Sequence, residues 1–223
     1  MSISDLEKAL TEAQERLEIA RKALAPKHKG GEMGAYFAAH AALLSAEREL
    51  SAAKGEEYAV PLDFPIKWDA GAPLPHLFVN DYRAYLAFRI AEPVPSWDGS
   101  YIKIIDRRGG LAELLALVEF EQCSCAKLGA PNDEVFHGHP LYGHGLDYYA
   151  AQLVTNSRWL TEIEGINKVH RCYDPQRWRQ RHHYIFWFHD TTFECIAMSY
   201  SVGVFRESMK DMLHRIVDRL SSQ

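Results

Sequence analysis

The sequence predicts a mixed α+β fold. A helical hairpin comes first, then a mainly antiparallel sheet or partial barrel with flanking helices, closed by a C-terminal amphipathic helix. Three patterns predict it. Leu6, Leu10, Ala13, Leu17, Ala20 and Leu24 alternate spacings of four and three, the apolar seam of a coiled coil. Apolar residues recur with period two around residues 82–90 and 183–200, as in strands with two unlike faces. Phe205, Met209, Met212, Ile216, Val217 and Leu220 share one side of a final helix.

Taken in order, Ser4-Asp5-Leu6-Glu7 reads as a capping box opening the first helix. Pro26 to Gly31 breaks that helix. An alanine-rich run from Ala35 to Lys54 forms a second one, with Tyr36, Leu43 and Leu50 seven apart and Gly55 as its C-cap. The short connection makes the two antiparallel neighbours, so residues 1–55 form a hairpin unit and 56–223 an α+β core. Residues 56–75 carry four prolines among Tyr58, Phe64 and Trp68. A free linker is rich in Gly and Ser, so this segment is expected to be a strap docked by its aromatics.

In the core, residues 82–90 form a half-buried strand and 101–106 a short one, and a further strand runs from Ala116. Residues 148–154 form another. Asn156 or Ser157 caps a helix bearing Trp159, Ile163 and Ile166. Asp174-Pro175 starts a short basic helix. Residues 183–189 and 192–200 pair through an Asp190-Thr191 turn.

The net charge of −5 weighs against a nucleic-acid partner, because a phosphate-binding face needs a basic excess. No apolar run approaches the roughly 20 residues that span a bilayer, so no membrane association is expected. No basic segment followed by an apolar one marks an export signal. With four cysteines and no such signal, reduced thiols in a cytoplasmic setting are expected.

Chemistry concentrates where histidine does. His137, His139, His144, His170, His182, His183 and His189 crowd the second half of the chain, out of eleven in all. In the irregular segment 131–145, His137 and His139 form an H-x-H pair. On extended backbone both imidazoles face one side, and His144 can curl back past Gly143 as a third ligand. Such a nitrogen set suits a divalent transition metal such as Zn or Fe; the same histidines can equally bond backbone carbonyls in a turn. With an Asp190-Thr191 turn, His189 and Glu194 become diagonal neighbours on one face. The carboxylate would then orient the imidazole as a general base or ligand, or the two would make a structural bond on a solvated face. Asp133, Glu134, Tyr142 and Trp187 are the expected substrate contacts. Cys123-Ser124-Cys125 could add thiolates, although C-x-C alone is a weak zinc signal. Arg171, Arg177, Arg179 and Arg181 around Trp178 could meet an anion or form a solvated face.

Two functions fit. One is a small-molecule-binding protein or enzyme with a histidine-rich, metal-capable pocket between the 131–145 loop and the 183–200 hairpin. The other is a non-catalytic interaction protein whose residues 4–54 make a homodimer or hold a protein partner.

Overall fold

The computed structural model describes residues 1–24, 30–69, 71–91 and 112–221. The strand expected at 101–106 and most of the helix break at 26–31 lie outside them. The N-terminal helices are α1 (Ile3–Leu24) and α2 (Gly30–Lys54). The six seam positions of α1 are among its least exposed, with Leu6 and Ala13 buried. Lys54 at the end of α2 meets Glu7 at the start of α1, Nζ to Oε1 2.9 Å, so the pair runs antiparallel.

The cap of α1 lies two residues earlier than expected. Ser2 Oγ accepts the Asp5 amide at 3.2 Å while the Asp5 carboxylate accepts the Ser2 amide at 2.9 Å, so the reciprocal box is Ser2-x-x-Asp5. The shorter acidic side chain serves as well as Glu7 and lets Ile3 and Ser4 join the helix. At the other end Gly55, at φ +68°, closes α2 with Glu56 N–H to Ser51 O (2.9 Å) and Gly55 N–H to Ala52 O (3.1 Å). This is the Schellman arrangement that glycine adopts without a Cβ penalty.

Among the described residues nine strands form two antiparallel sheets. They are β1 (Tyr58–Pro61), β2 (His76–Val79), β3 (Arg83–Arg89), β4 (Glu113–Glu121), β5 (Cys125–Gly129), β6 (Ala151–Thr155), β7 (His182–Trp187), β8 (Thr192–Ala197) and β9 (Ser199–Glu207). One sheet has the order β1-β6-β7-β8-β5, the other β2-β3-β4-β9. Their facing sides supply one apolar core, including Leu86, Phe88, Val118 and Phe120 from the second sheet and Tyr184, Phe186, Phe193 and Cys195 from the first. The strap enters this core as expected. Trp68 stacks on Phe186 at 5.8 Å and Phe64 meets Phe186 edge-on at 5.0 Å, geometries aromatic quadrupoles favour.

β3 is buried on both faces rather than one. The cause is α5 (Met209–Ser221), whose Met212 and Ile216 cover Tyr85, Ala87, Leu115 and Leu117 on the outer side of the second sheet. Phe205, expected in that helix, belongs to β9; Ser208 caps α5 through the Asp211 amide at 3.1 Å.

The β7–β8 turn also moves. Phe188 N–H bonds Thr191 O at 3.0 Å, and Trp187 pairs with Thr192 and Ile185 with Glu194. The turn residues are therefore His189-Asp190, because β-branched Thr191 and Thr192 suit strand better than turn. A shift of two keeps every side chain on its expected face, since side chains alternate with period two.

Candidate functional site

The outer face of the β1-β6-β7-β8-β5 sheet is covered by two different elements. Residues 133–148 cover one part. A 3-10 turn at Asp133–Gly138 brings Phe136 against Trp187 (4.7 Å, edge-on), and Leu141 and Leu146 complete an apolar cluster with Val154 and Ile185. The loop thus lies on the hairpin, as the sequence implied, but fills the space beneath it with side chains.

That turn also separates the three histidines expected to share a metal. His137 lies in the 3-10 turn and only His139, just past it, is on extended backbone, so the two do not share the extended run expected. His137 packs on Tyr142 at 4.7 Å. His139 Nδ1 accepts the Leu141 amide at 3.1 Å, and burial lowers its pKa. His144 Nδ1 bonds Ser51 Oγ of α2 at 2.9 Å. Among the described residues no three His, Cys, Asp or Glu side chains are placed to hold a metal ion.

His189 and Glu194 are not neighbours. His189 sits in the turn, its Nδ1 2.8 Å from Asp190 and its Nε2 3.7 Å from Asp133. The Asp190 bond raises its pKa. Asp133 also accepts the Tyr149 hydroxyl at 2.8 Å. Glu134 and Tyr142 are exposed, while Trp187 is fully buried. The Trp187 Nε1 has no hydrogen-bond partner among the described residues.

The imidazole that does meet Glu194 is His183, one alternation step before Ile185 on the same face. Its Nε2 is 2.9 Å from Glu194 Oε2, and both side chains are buried. Lys127 of β5 holds the other carboxylate oxygen at 2.9 Å and lies over the Trp159 ring at 4.7 Å. Desolvation of Glu194 acts to raise its pKa, but the bonds from His183 and Lys127 outweigh it and hold the carboxyl below its ordinary value. On the far side of the ring, His183 Nδ1 is 2.8 Å from Ser157 Oγ. Nε2–H donates to the ionised Glu194, so Nδ1 accepts and the serine hydroxyl donates.

Ser157 is placed by its backbone. It caps α3 (Arg158–Asn167), its Oγ accepting the Leu160 amide at 3.0 Å. Asn156 before it adopts φ +54°, a conformation asparagine tolerates better than most residues. The Asn156 side chain donates to Glu56 O at 3.0 Å. The chain thus turns sharply from β6 into α3 with the serine at the corner, and both candidate caps have separate jobs.

Ser157 and His183, both buried, lie at the floor of a cleft of about 540 Å³ beside α3 and α4 (Pro175–Trp178), walled also by Leu153, Leu160, Glu164, Trp178, Arg179 and Arg181. Arg181 is fixed by its bond to Gln122 O and packs on Trp178 at 4.9 Å. A larger hollow of about 700 Å³ lies beside α5. Its charges answer one another, with Glu119 paired to Arg83 and Arg219 and Glu207 paired to Arg215. It reads as an ion-pair trough between helix and sheet.

Among the described residues no helix is long and apolar enough to cross a membrane. No protein-family model matches the chain, and neither the curated proteins nor the solved structures give a significant match.

Proposed function

We propose that the chain is a small-molecule-binding enzyme whose site is the cleft at the N-terminus of α3. One observation carries this reading: the hydrogen-bonded series Lys127–Glu194–His183–Ser157 runs beneath the sheet's cover and ends at a cleft of about 540 Å³. Small-molecule sites have this size, and here Leu153, Leu160 and Trp178 share the wall with polar groups that include Glu164, Arg179 and Arg181. In this reading Glu194 orients His183 rather than His189. The four free thiols fit a reducing, cytoplasmic setting.

The test is ligand-observed NMR with a set of small carboxylic acids, amides and esters. Hits are expected to lose binding in Leu160→Trp, which fills the cleft, and to retain it in Val204→Thr, on an exposed position of β9. Hits indifferent to Leu160→Trp, or no hits at all, would overturn the reading.

A second reading, a self-association surface on the N-terminal hairpin, is favoured by Ile19 and Phe37, 69% and 59% exposed. Large apolar side chains so exposed on one unit are a common mark of an interface. Sedimentation should then show a dimer that Ile19→Asp with Phe37→Asp dissociates; a monomer at all concentrations rejects it.

A further inference from the structure

The geometry points to Ser157 as the nucleophile of an acyl-transfer site that hydrolyses a small carboxylic ester in this cleft. The inference rests on the cleft being a small-molecule site, and goes further by naming the reacting atom and the substrate class.

A structural cap does not account for what stands behind the serine. A cap needs only an oxygen for the Leu160 amide, and Asp, Asn or Thr would supply it. Here the hydroxyl also faces a buried imidazole at 2.8 Å, and that imidazole faces a buried carboxylate at 2.9 Å. Burying a carboxylate is costly unless it is paired, and neither His183 nor Glu194 touches the cap amide. Together they do what an activated nucleophile requires: a base within hydrogen-bond reach of the hydroxyl, and a third group that fixes the base's tautomer. Here Nδ1 faces the hydroxyl as the base and Nε2–H faces the carboxylate.

The steps balance without a cofactor. The Ser157 oxygen forms a bond to the ester carbonyl carbon, the carbonyl π pair moves onto oxygen, and the hydroxyl proton passes to His183 Nδ1. Glu194, held ionised by Lys127, stabilises the resulting imidazolium. The carbon–alkoxide bond then breaks, the alcohol leaves with the Nδ1 proton, and acyl-Ser157 remains. Water repeats the sequence, its proton going to Nδ1 and its oxygen to the acyl carbon. The carboxylic acid departs and Ser157 recovers its proton.

α3 supplies the electrostatic help. Its N-terminal end favours negative charge, and the Leu160 amide already bonded to Oγ stabilises a developing alkoxide. Of the other first-turn amides, Arg158 bonds Glu57 and Thr161 bonds Ser157 O. Leu153 and Leu160 offer the acyl group an apolar wall.

The experiment uses the full chain with a fluorophosphonate probe, read by intact mass and peptide mapping, and with p-nitrophenyl acetate. One equivalent of label is expected on Ser157, with a burst of p-nitrophenol. Ser157→Asp keeps a competent cap, verified by an unchanged melting temperature, and should abolish both signals. His183→Gln should slow labelling on the order of 10²–10⁴-fold. For Glu194, a positioning residue, Glu194→Gln should slow labelling and move the acid limb of the pH–rate profile, with Glu194→Asp restoring part of the rate. Folded protein that takes no label, label on another residue, or equal labelling of Ser157→Asp overturns the inference. If NMR hits still occupy the cleft in that case, the small-molecule reading stands and only the nucleophile falls; if hits also fail, both fall.

Discussion

The His183–Glu194 contact can be measured by a double-mutant cycle. His183→Gln and Glu194→Gln are made singly and together, and unfolding free energies are taken from urea titrations. Nε2 and Oε2 are 2.9 Å apart, with side chains 3% and 10% exposed. A hydrogen bond to a charged group contributes roughly 1.5–3 kcal/mol net. His183→Gln replaces the fixed ring N–H with a flexible amide donor and leaves Lys127, 58% exposed, as the carboxylate's other partner, so the single cost should be about 3 kcal/mol, that of a charged group short of a well-placed donor. Glu194→Gln keeps an oxygen for Nε2–H and should cost less, about 1–3 kcal/mol. The coupling between the two should be about 1–3 kcal/mol. A parallel cycle of His189→Gln with Glu194→Gln should be additive within about 0.5 kcal/mol, because His189 bonds Asp190 and Asp133 instead. Additivity in the first cycle, or strong coupling in the second, would refute the assignment of His183 as the carboxylate's partner.

Stability should fall in two stages on acidification. His139, its pKa lowered by burial, carries a contribution that is complete above its ordinary value of 6.5 and lost as the pH drops through the lower folded value. Glu194, also lowered, adds a further loss below its ordinary 4.5. Urea midpoints across pH 3–8 should show His139→Gln flattening the first stage and Glu194→Gln the second. Gly145→Ala should destabilise by about 2 kcal/mol or more: φ is +79°, and a Cβ would lie 2.4 Å from Arg48 Cγ and 2.8 Å from Ala59 O. A melting temperature unchanged by Gly145→Ala would contradict that packing. Trp68→Ala should cost roughly 3–5 kcal/mol, as expected for a buried aromatic wedged between two sheets. A loss under 1 kcal/mol on thermal unfolding would mean the strap is not part of the core.

What the sequence made legible was local. The α1 seam repeats within one helix, and the faces of β7 and β8 follow from alternation that tolerates a register shift of two. β5 and β9 escaped because their strands are only partly buried and lack a clean alternation. In β9, Gly203 interrupts the pattern where the Phe205 ring lies 2.7 Å from the place a Cβ would take.

The candidate site was half readable. Glu194 and its face were visible, and one further step of the same alternation reaches His183. The serine was visible only as a cap. Its meeting with His183, 26 residues away, depends on β6 pairing with β7 and on the Asn156 corner, neither of which spacing along the chain encodes. His144 looked like a ligand because its true partner, Ser51, is 93 residues distant on another helix.

Glu47 and Arg48 of α2 grip Gly145: its amide donates to Glu47 Oε2 at 3.0 Å, and its carbonyl accepts from Arg48 at 2.8 Å. These bonds reach 98 and 97 residues along the chain, beside the β1–β6 ladder that joins Tyr58 to Thr155. The helical hairpin closes through near contacts, so it can assemble early. Its dock cannot exist until residue 155 has been made, and closing so long a loop is entropically slow to reward. On the ribosome the hairpin therefore waits with Glu47 and Arg48 without their Gly145 partner, and the clamp is expected to form on the native side of the folding barrier. Weakening it should speed unfolding while leaving the folding rate nearly untouched.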